Sequence, residues 1–203
     1  YKIFGFYKFK KIKNIKLLKK NLKNFIEEEQ LRGTIIISIE GINGTISFKP
    51  TKYKKIKNKI LNLLNIRKLD NENISYYKYQ AFKKGKIKIK KEVVPIGMKL
   101  NKIVTKNKIE PKDWNKFILK KETVLIDTRK NFEFKVGTFK GSINPELNNF
   151  RDFPRYFKTL KKDQNIGMFC TGVIRCEKDS DYLKKKGFKN VYQLKGGIIN
   201  YLD

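Results

Sequence analysis

The chain has 203 residues, enough for one large domain or two small ones, and its 49 Lys and Arg against 19 Asp and Glu give a net charge of +30. It contains no histidine, which excludes Ser-His-Asp and Cys-His nucleophile pairs, histidine bases and two-histidine-one-carboxylate iron sites. Its two cysteines make no disulfide framework or zinc spacing, no apolar run is long enough to cross a bilayer, and no dinucleotide or P-loop glycine pattern occurs, so a cytoplasmic protein without a resident metal is expected.

In chain order, residues 2–9 read as an aromatic-rich strand. Ile15, Leu18, Leu22, Phe25 and Ile26 recur at helical spacing, which predicts an amphipathic helix over 14–30. A strand is expected at 34–39, a tight turn at Gly41-Ile-Asn-Gly44 and a short strand at 45–49. Pro50 and Thr51 start a second helix with Tyr53, Ile56, Ile60, Leu63 and Leu64 on one face, and strand-like alternation follows at 74–82 and 86–94. This βαββαβ order with a trailing strand predicts a ferredoxin-like α+β domain over 1–94. A linker is expected at 95–110. Beyond it come helices at 111–119, 150–160, 176–186 and 197–202 and buried strands at 123–127, 166–169 and 191–194. Such alternation predicts an α/β domain with an open parallel sheet over 111–203.

In open parallel sheets, ligands bind beyond the carboxyl ends of the strands, where Asp127 and Cys170 fall. Met168-Phe-Cys-Thr-Gly-Val-Ile-Arg-Cys176 reads as a strand end, a tight loop opening on Cys170, and the first turn of a helix. Converging backbone N–H groups, a helix dipole and the charge of Arg175 all favour a thiolate, which turns a group of ordinary pKa ~8.5 into a nucleophile near neutrality. The plainer alternative for Cys170 is a small buried thiol. For Cys176 the choice is between a thiol that resolves an oxidised Cys170 and a packing residue. Asp127 and Arg129 either orient the loop or contact the substrate, or else form a structural ion pair at the strand end.

The charge excess has two sources. Lysines number 43 against six arginines and alanine occurs once, the skew of AT-rich coding, so drift competes with polyanion binding as the cause. Arginine therefore carries more information than lysine. Arg129, Arg151, Arg155 and Arg175 gather in the second half, where either a bidentate fork or an ordinary ion pair explains them. Phe150, Arg151, Phe153, Pro154 and Arg155 interleave aromatic and basic groups and are expected to contact RNA. Glu40 and Asn43, and the strand aromatics Tyr7, Phe9, Tyr76, Tyr77 and Tyr79, are further candidates for RNA contact, against turn chemistry and core packing respectively.

Leu125-Ile-Asp-Thr-Arg129, Gly137-Thr-Phe-Lys-Gly141 and the Cys170 loop resemble a rhodanese domain. Together with Glu40-Gly-Ile-Asn-Gly-Thr45, Pro111-Lys-Asp-Trp114, Phe150-Arg-Asp-Phe-Pro154 and the run 187–197, they resemble the bacterial tRNA uridine hydroxylases, which join an acylphosphatase-like domain to a rhodanese domain. The resemblance implies oxygen-dependent 5-hydroxylation of the wobble uridine, with molecular oxygen as co-substrate and the tRNA anticodon loop as partner. It matches Cys170 to the active-site cysteine, followed by loop residues Thr171, Gly172, Val173 and Ile174. The family usually has glycine where this chain has Val173, and a positive φ there would cost a β-branched residue about 1–3 kcal/mol. A persulfide-carrying sulfurtransferase is the rival enzyme reading, and an RNA-binding protein disabled at Val173 the non-enzymatic one.

Overall fold

The computed structural model describes residues 1–97, 107–147 and 149–202. They form two compact units, Tyr1–Val93 and Val94–Asp203.

In the first unit the strands are β1 (Lys2–Phe9), β2 (Arg32–Ser38), β3 (Gly41–Phe48), β4 (Asn71–Tyr76) and β5 (Gly85–Ile89), in the order β4-β1-β3-β2-β5. All pairings are antiparallel except that of β5 with β2. Helices α1 (Ile15–Glu28) and α2 (Tyr53–Leu64) carry the apolar stripes read from the sequence. Asn14 caps α1 by accepting a hydrogen bond from the Leu17 N–H at 2.9 Å, which satisfies a donor the helix itself leaves open. Leu18, Leu22, Phe25, Ile56 and Ile60 are buried with the alternate strand residues Phe4, Phe6, Ile35, Ile37, Ile42 and Ile46. Gly44 belongs to this core by what it lacks: a Cβ there would lie 2.5 Å from the Phe6 ring.

Several boundaries differ from the sequence expectation. Gly41 and Gly44 lie inside β3, and the chain reverses at Ile39 and Glu40 instead. β4 ends at Tyr76 and β5 at Ile89, short of the expected 82 and 94. Alternation continued past those points, but after backbone bonds at Tyr77, Lys84 and Lys90 no strand ladder continues among the described residues.

The second unit has a four-stranded parallel sheet in the order β6-β9-β8-β7. Its strands are β6 (Lys108–Ile109), β7 (Thr123–Asp127), β8 (Asn165–Phe169) and β9 (Val191–Leu194). The helices are α3 (Pro111–Ile118), α4 (Asn131–Val136), α5 (Phe153–Phe157), α6 (Ile174–Lys185) and α7 (Gly197–Leu202). Ile126, Ile166, Met168 and Val191 pack with Phe153 and Phe157 on one side of the sheet, and Leu125, Phe169 and Leu194 with Trp114 and Phe139 on the other. β6 falls within the expected linker, whose residues 98–106 lie outside the described residues. The helix expected at 150–160 is a 3-10 turn, Phe150–Asp152, followed by the five-residue α5. Pro154 has no N–H to donate, so it sits in the first turn of α5 rather than inside a longer helix.

Candidate active site

Cys170 follows β8, is 1% exposed, and opens a four-residue loop that ends where α6 begins at Ile174. Two features hold the loop. α7 starts beneath it, with the Ile198 and Ile199 N–H groups donating to the Cys170 and Thr171 carbonyls at 2.9 and 3.4 Å. Gly197 permits that approach: its φ is +73°, and a Cβ there would stand 2.5 Å from the Thr171 carbonyl oxygen and 2.7 Å from that of Cys170. With these carbonyls tied down below, the amides beyond them are free to face the sulfur. Val173 closes the loop at φ 82° and ψ −34°, buried, and so adopts the positive φ that the departure from glycine called into question.

The electrostatics favour a thiolate. Burial pushes the Cys170 thiol up, but a hydrogen bond from Cys176, the Arg175 charge and the backbone N–H groups of Cys176 and Arg175 outweigh it, bringing Cys170 down to about 6 from an ordinary 9.0. Cys176 moves the opposite way, raised well above its ordinary value by burial and by the neighbouring Cys170. Its Sγ lies 3.5 Å from Thr128 Oγ1, which also donates to the Phe169 carbonyl. At neutral pH the pair is thus a thiolate accepting from a thiol, so Cys176 is a hydrogen-bond donor to the nucleophile as well as a packed residue.

Arg175 is fixed by an acid on another element. Its guanidinium donates to both Glu133 carboxylate oxygens at 3.1 Å and to Thr171 Oγ1 at 2.9 Å. Thr171 in turn donates to Glu133 at 2.5 Å. Burial works against the Glu133 charge, yet Arg175 and Thr171 hold this carboxyl down to about 2. Glu133 stands on α4, a six-residue helix that left no apolar periodicity in the sequence, and it was not among the candidate residues. Asp127 and Arg129 form a separate clamp. Arg129 donates to both Asp127 oxygens at 2.7–3.1 Å and to the Gly137 carbonyl at 2.6 Å, and Thr138 Oγ1 donates to Asp127 at 3.0 Å. The bonds to Gly137 and from Thr138 join the end of β7 to the segment after α4, and the Arg129 guanidinium lies 5.6 Å from the centre of the Phe169 ring, next to Cys170.

One further acid is buried near the thiolate. Asp179, on α6 one turn beyond Arg175, is fully buried and neither of its oxygens has a hydrogen-bond partner among the described residues. Burial and the negative Cys170 hold its pKa well above the ordinary carboxylate value.

The remaining candidates divide. Phe150 packs its ring 5.0 Å from Phe153 in the core, whereas Arg151 and Arg155 are exposed. Tyr7 is 3% exposed and so unavailable to a base, Glu40 accepts from the Val93 N–H at 2.7 Å, and Asn43 lies within β3. Tyr76, Tyr77 and Tyr79 are exposed. Among the described residues no group of three or more potential metal ligands is assembled and no helix is long and apolar enough to cross a membrane.

A mixed α/β unit followed by a parallel-sheet unit with a cysteine loop at its strand ends defines the class. Residues 1–93 match the UPF0176 acylphosphatase like domain and residues 110–203 the rhodanese-like domain. Three curated relatives are each named tRNA uridine(34) hydroxylase. That of Pelagibacter ubique is 56% identical over 201 residues, covering 98% of this chain and 67% of its own length. Those of Prochlorococcus marinus and Acinetobacter baumannii are 42% and 39% identical, covering 100% and 99% of this chain and 69% and 65% of theirs. The chain belongs to the tRNA uridine(34) hydroxylase family and spans about two thirds of the length of these relatives.

Proposed function

We propose that the chain is a tRNA-modifying oxidoreductase that hydroxylates C5 of uridine 34, the wobble position of the anticodon loop, with Cys170 as the nucleophile. The observation that carries this reading is a buried Cys170 held near pKa 6 by Cys176 and Arg175, in a family whose curated members are named for that reaction. Uracil is electrophilic at C6. The Cys170 sulfur adds there, and the C5–C6 π electrons move onto the ring as an enolate, which makes C5 nucleophilic. Arg175 and the loop N–H groups oppose the negative charge as it moves.

C5 then takes a hydroxyl from an oxidant derived from molecular oxygen. Loss of the C5 proton expels Cys170 from C6 and restores the double bond. Overall, uridine, O2, two electrons and two protons give 5-hydroxyuridine and water, the electrons coming from an external two-electron donor. A wobble base is unpaired in free tRNA, so presenting it costs little unstacking energy. Because Cys170 is nearly enclosed, the incoming base must displace part of what covers the loop. The substrate and the two free cysteines fit a reducing cytoplasm.

The sulfurtransferase alternative also needs a Cys170 thiolate, but nothing in it uses the first unit. The deciding experiment compares nucleosides of tRNA from cells with and without the gene. Loss of 5-hydroxyuridine is expected, and loss of a thiolated nucleoside instead would refute the reading. Incubation with 5-fluorouridine tRNA should trap a Cys170 adduct visible by mass spectrometry, because the C5 fluorine cannot leave as a proton does.

A further inference from the structure

The strand registers of the first unit bring a set of unpaired cations and exposed rings to one end of its sheet. Lys2 of β1 pairs with Tyr76 at the end of β4 and with Phe48 at the end of β3, Arg32 at the start of β2 with Ser47, and Gly33 with Gly85 at the start of β5. The start of β1, the end of β4 and the starts of β2 and β5 therefore share this end. β4 and β5 are the two edges of the sheet, so the crossover Tyr77–Lys84 runs from one edge to the other across it.

The crossover begins in rings and ends in charge. Tyr76, Tyr77 and Tyr79 are 66%, 56% and 62% exposed, which no packing demand explains, since a tyrosine contributes to a fold by burial. Tyr77 and Tyr79 stand 6.2 Å apart, Lys78 lies over Tyr79 and Lys2 over Tyr76. At the far edge Lys83 and Lys84 enter a cleft of about 800 Å³, shared with Lys19, Lys23 and Arg32. Its acid, Glu27, pairs with Lys23, which leaves the other four cations without an acidic partner among the described residues. Arg32 matters most to the argument. In a chain that uses lysine almost everywhere, it keeps the planar fork that suits phosphate.

We propose that this end of the sheet is a binding surface for an unpaired stretch of tRNA, with Tyr76, Tyr77 and Tyr79 stacking on bases and Arg32, Lys83 and Lys84 neutralising phosphates. Stacking rings beside a cationic groove is the chemistry by which single strands are held without strict sequence choice. The inference rests on tRNA being the substrate and names the surface of the first unit that grips it.

The test measures tRNA affinity of the full chain across a salt series, for wild type, for Tyr76→Ala/Tyr77→Ala/Tyr79→Ala and for Lys83→Glu/Lys84→Glu. Losing the rings should raise Kd about tenfold or more with the salt dependence unchanged. Reversing the lysines should raise Kd and flatten the slope of log Kd against log salt by about 1.4, the share of two phosphate contacts on an unpaired strand. A wild-type circular-dichroism spectrum and wild-type amide-exchange protection in β1–β5 show that the first unit of each variant is folded. Wild-type Kd and slope in both variants would overturn the inference. Since binding is read without turnover, tRNA binding through this surface without 5-hydroxyuridine formation would refute the proposed reaction and leave the surface standing.

Discussion

Replacing Cys176 by alanine tests how the thiolate is made. Among the influences that bring Cys170 down to about 6, the hydrogen bond from Cys176 is the largest. A hydrogen bond to a charged group contributes about 1.5–3 kcal/mol, so its loss should move Cys170 up to about 7–8. At pH 7 the thiolate fraction then falls from about nine tenths to between about one half and one tenth, and alkylation slows about two- to tenfold. The assay is the iodoacetamide rate at Cys170 from pH 4.5 to 9.5, followed by mass spectrometry. Cys176→Ser keeps a donor at the same place and should hold the midpoint close to 6. Serine also removes the second sulfur, so the pair of variants separates hydrogen bonding from thiol chemistry. A midpoint still near 6 in Cys176→Ala would refute the argument that Cys176 poises the nucleophile.

Glu133→Gln should lower kcat about tenfold with little change in KM for tRNA, because Arg175 loses its anchor while the RNA-binding surface is untouched. The same variant should lose stability at pH 7 but not at pH 2. A carboxyl depressed to about 2 contributes stability above its ordinary 4.5, and that contribution disappears as pH falls through 2, which acid unfolding curves would show. Gly197→Ala should destabilise the second unit by about 2 kcal/mol or more in denaturant titration, since φ is +73° and the new methyl would meet two carbonyl oxygens. Asp179→Asn should raise the unfolding midpoint at pH 7. The Asp179 pKa is raised on folding, so the wild type loses stability as pH climbs above 3.8, and the variant's advantage should vanish below that pH.

Sequence periodicity exposed what buries a face and hid what does not. The stripe Leu18, Leu22, Phe25 and Ile26 gave α1, and the short apolar runs 123–127 and 166–169 gave β7 and β8 almost residue for residue. The cysteine loop was legible because a strand end, a Gly-containing loop and a helix start leave a local signature. Glu133 had none: α4 is a six-residue helix with no residue buried, placed by its contact with Arg175 more than 40 residues away in sequence. β6 is two residues long, and only its pairing with β9 makes it a strand. The strand-like run over 74–82 was misleading for the opposite reason, because beyond Tyr76 its tyrosines Tyr77 and Tyr79 are exposed on a crossover and bury no face. The features that escaped the sequence are those fixed by one long-range contact, and the arginine anchor of the candidate site is among them.

A site without histidine sets its protonation states through hydrogen bonds, charge and burial, and here one guanidinium stands between two anions. Arg175 is shared by Cys170 and Glu133, with burial opposing both negative charges. Burial and the negative Cys170 push the nearby Asp179 toward its neutral form, which opposes a third negative charge. The resting site therefore carries a net charge of about −1 in a poorly solvated place, which is costly for the sulfur in particular. Addition of Cys170 to C6 relieves that crowding, since the charge leaves the sulfur for the ring oxygens while Arg175 and Glu133 remain paired. The enclosure that makes Cys170 hard to reach thus also favours the bond it forms, so loosening what covers the thiolate, as by Val173→Ala, should speed alkylation by a small reagent yet slow adduct formation with uridine.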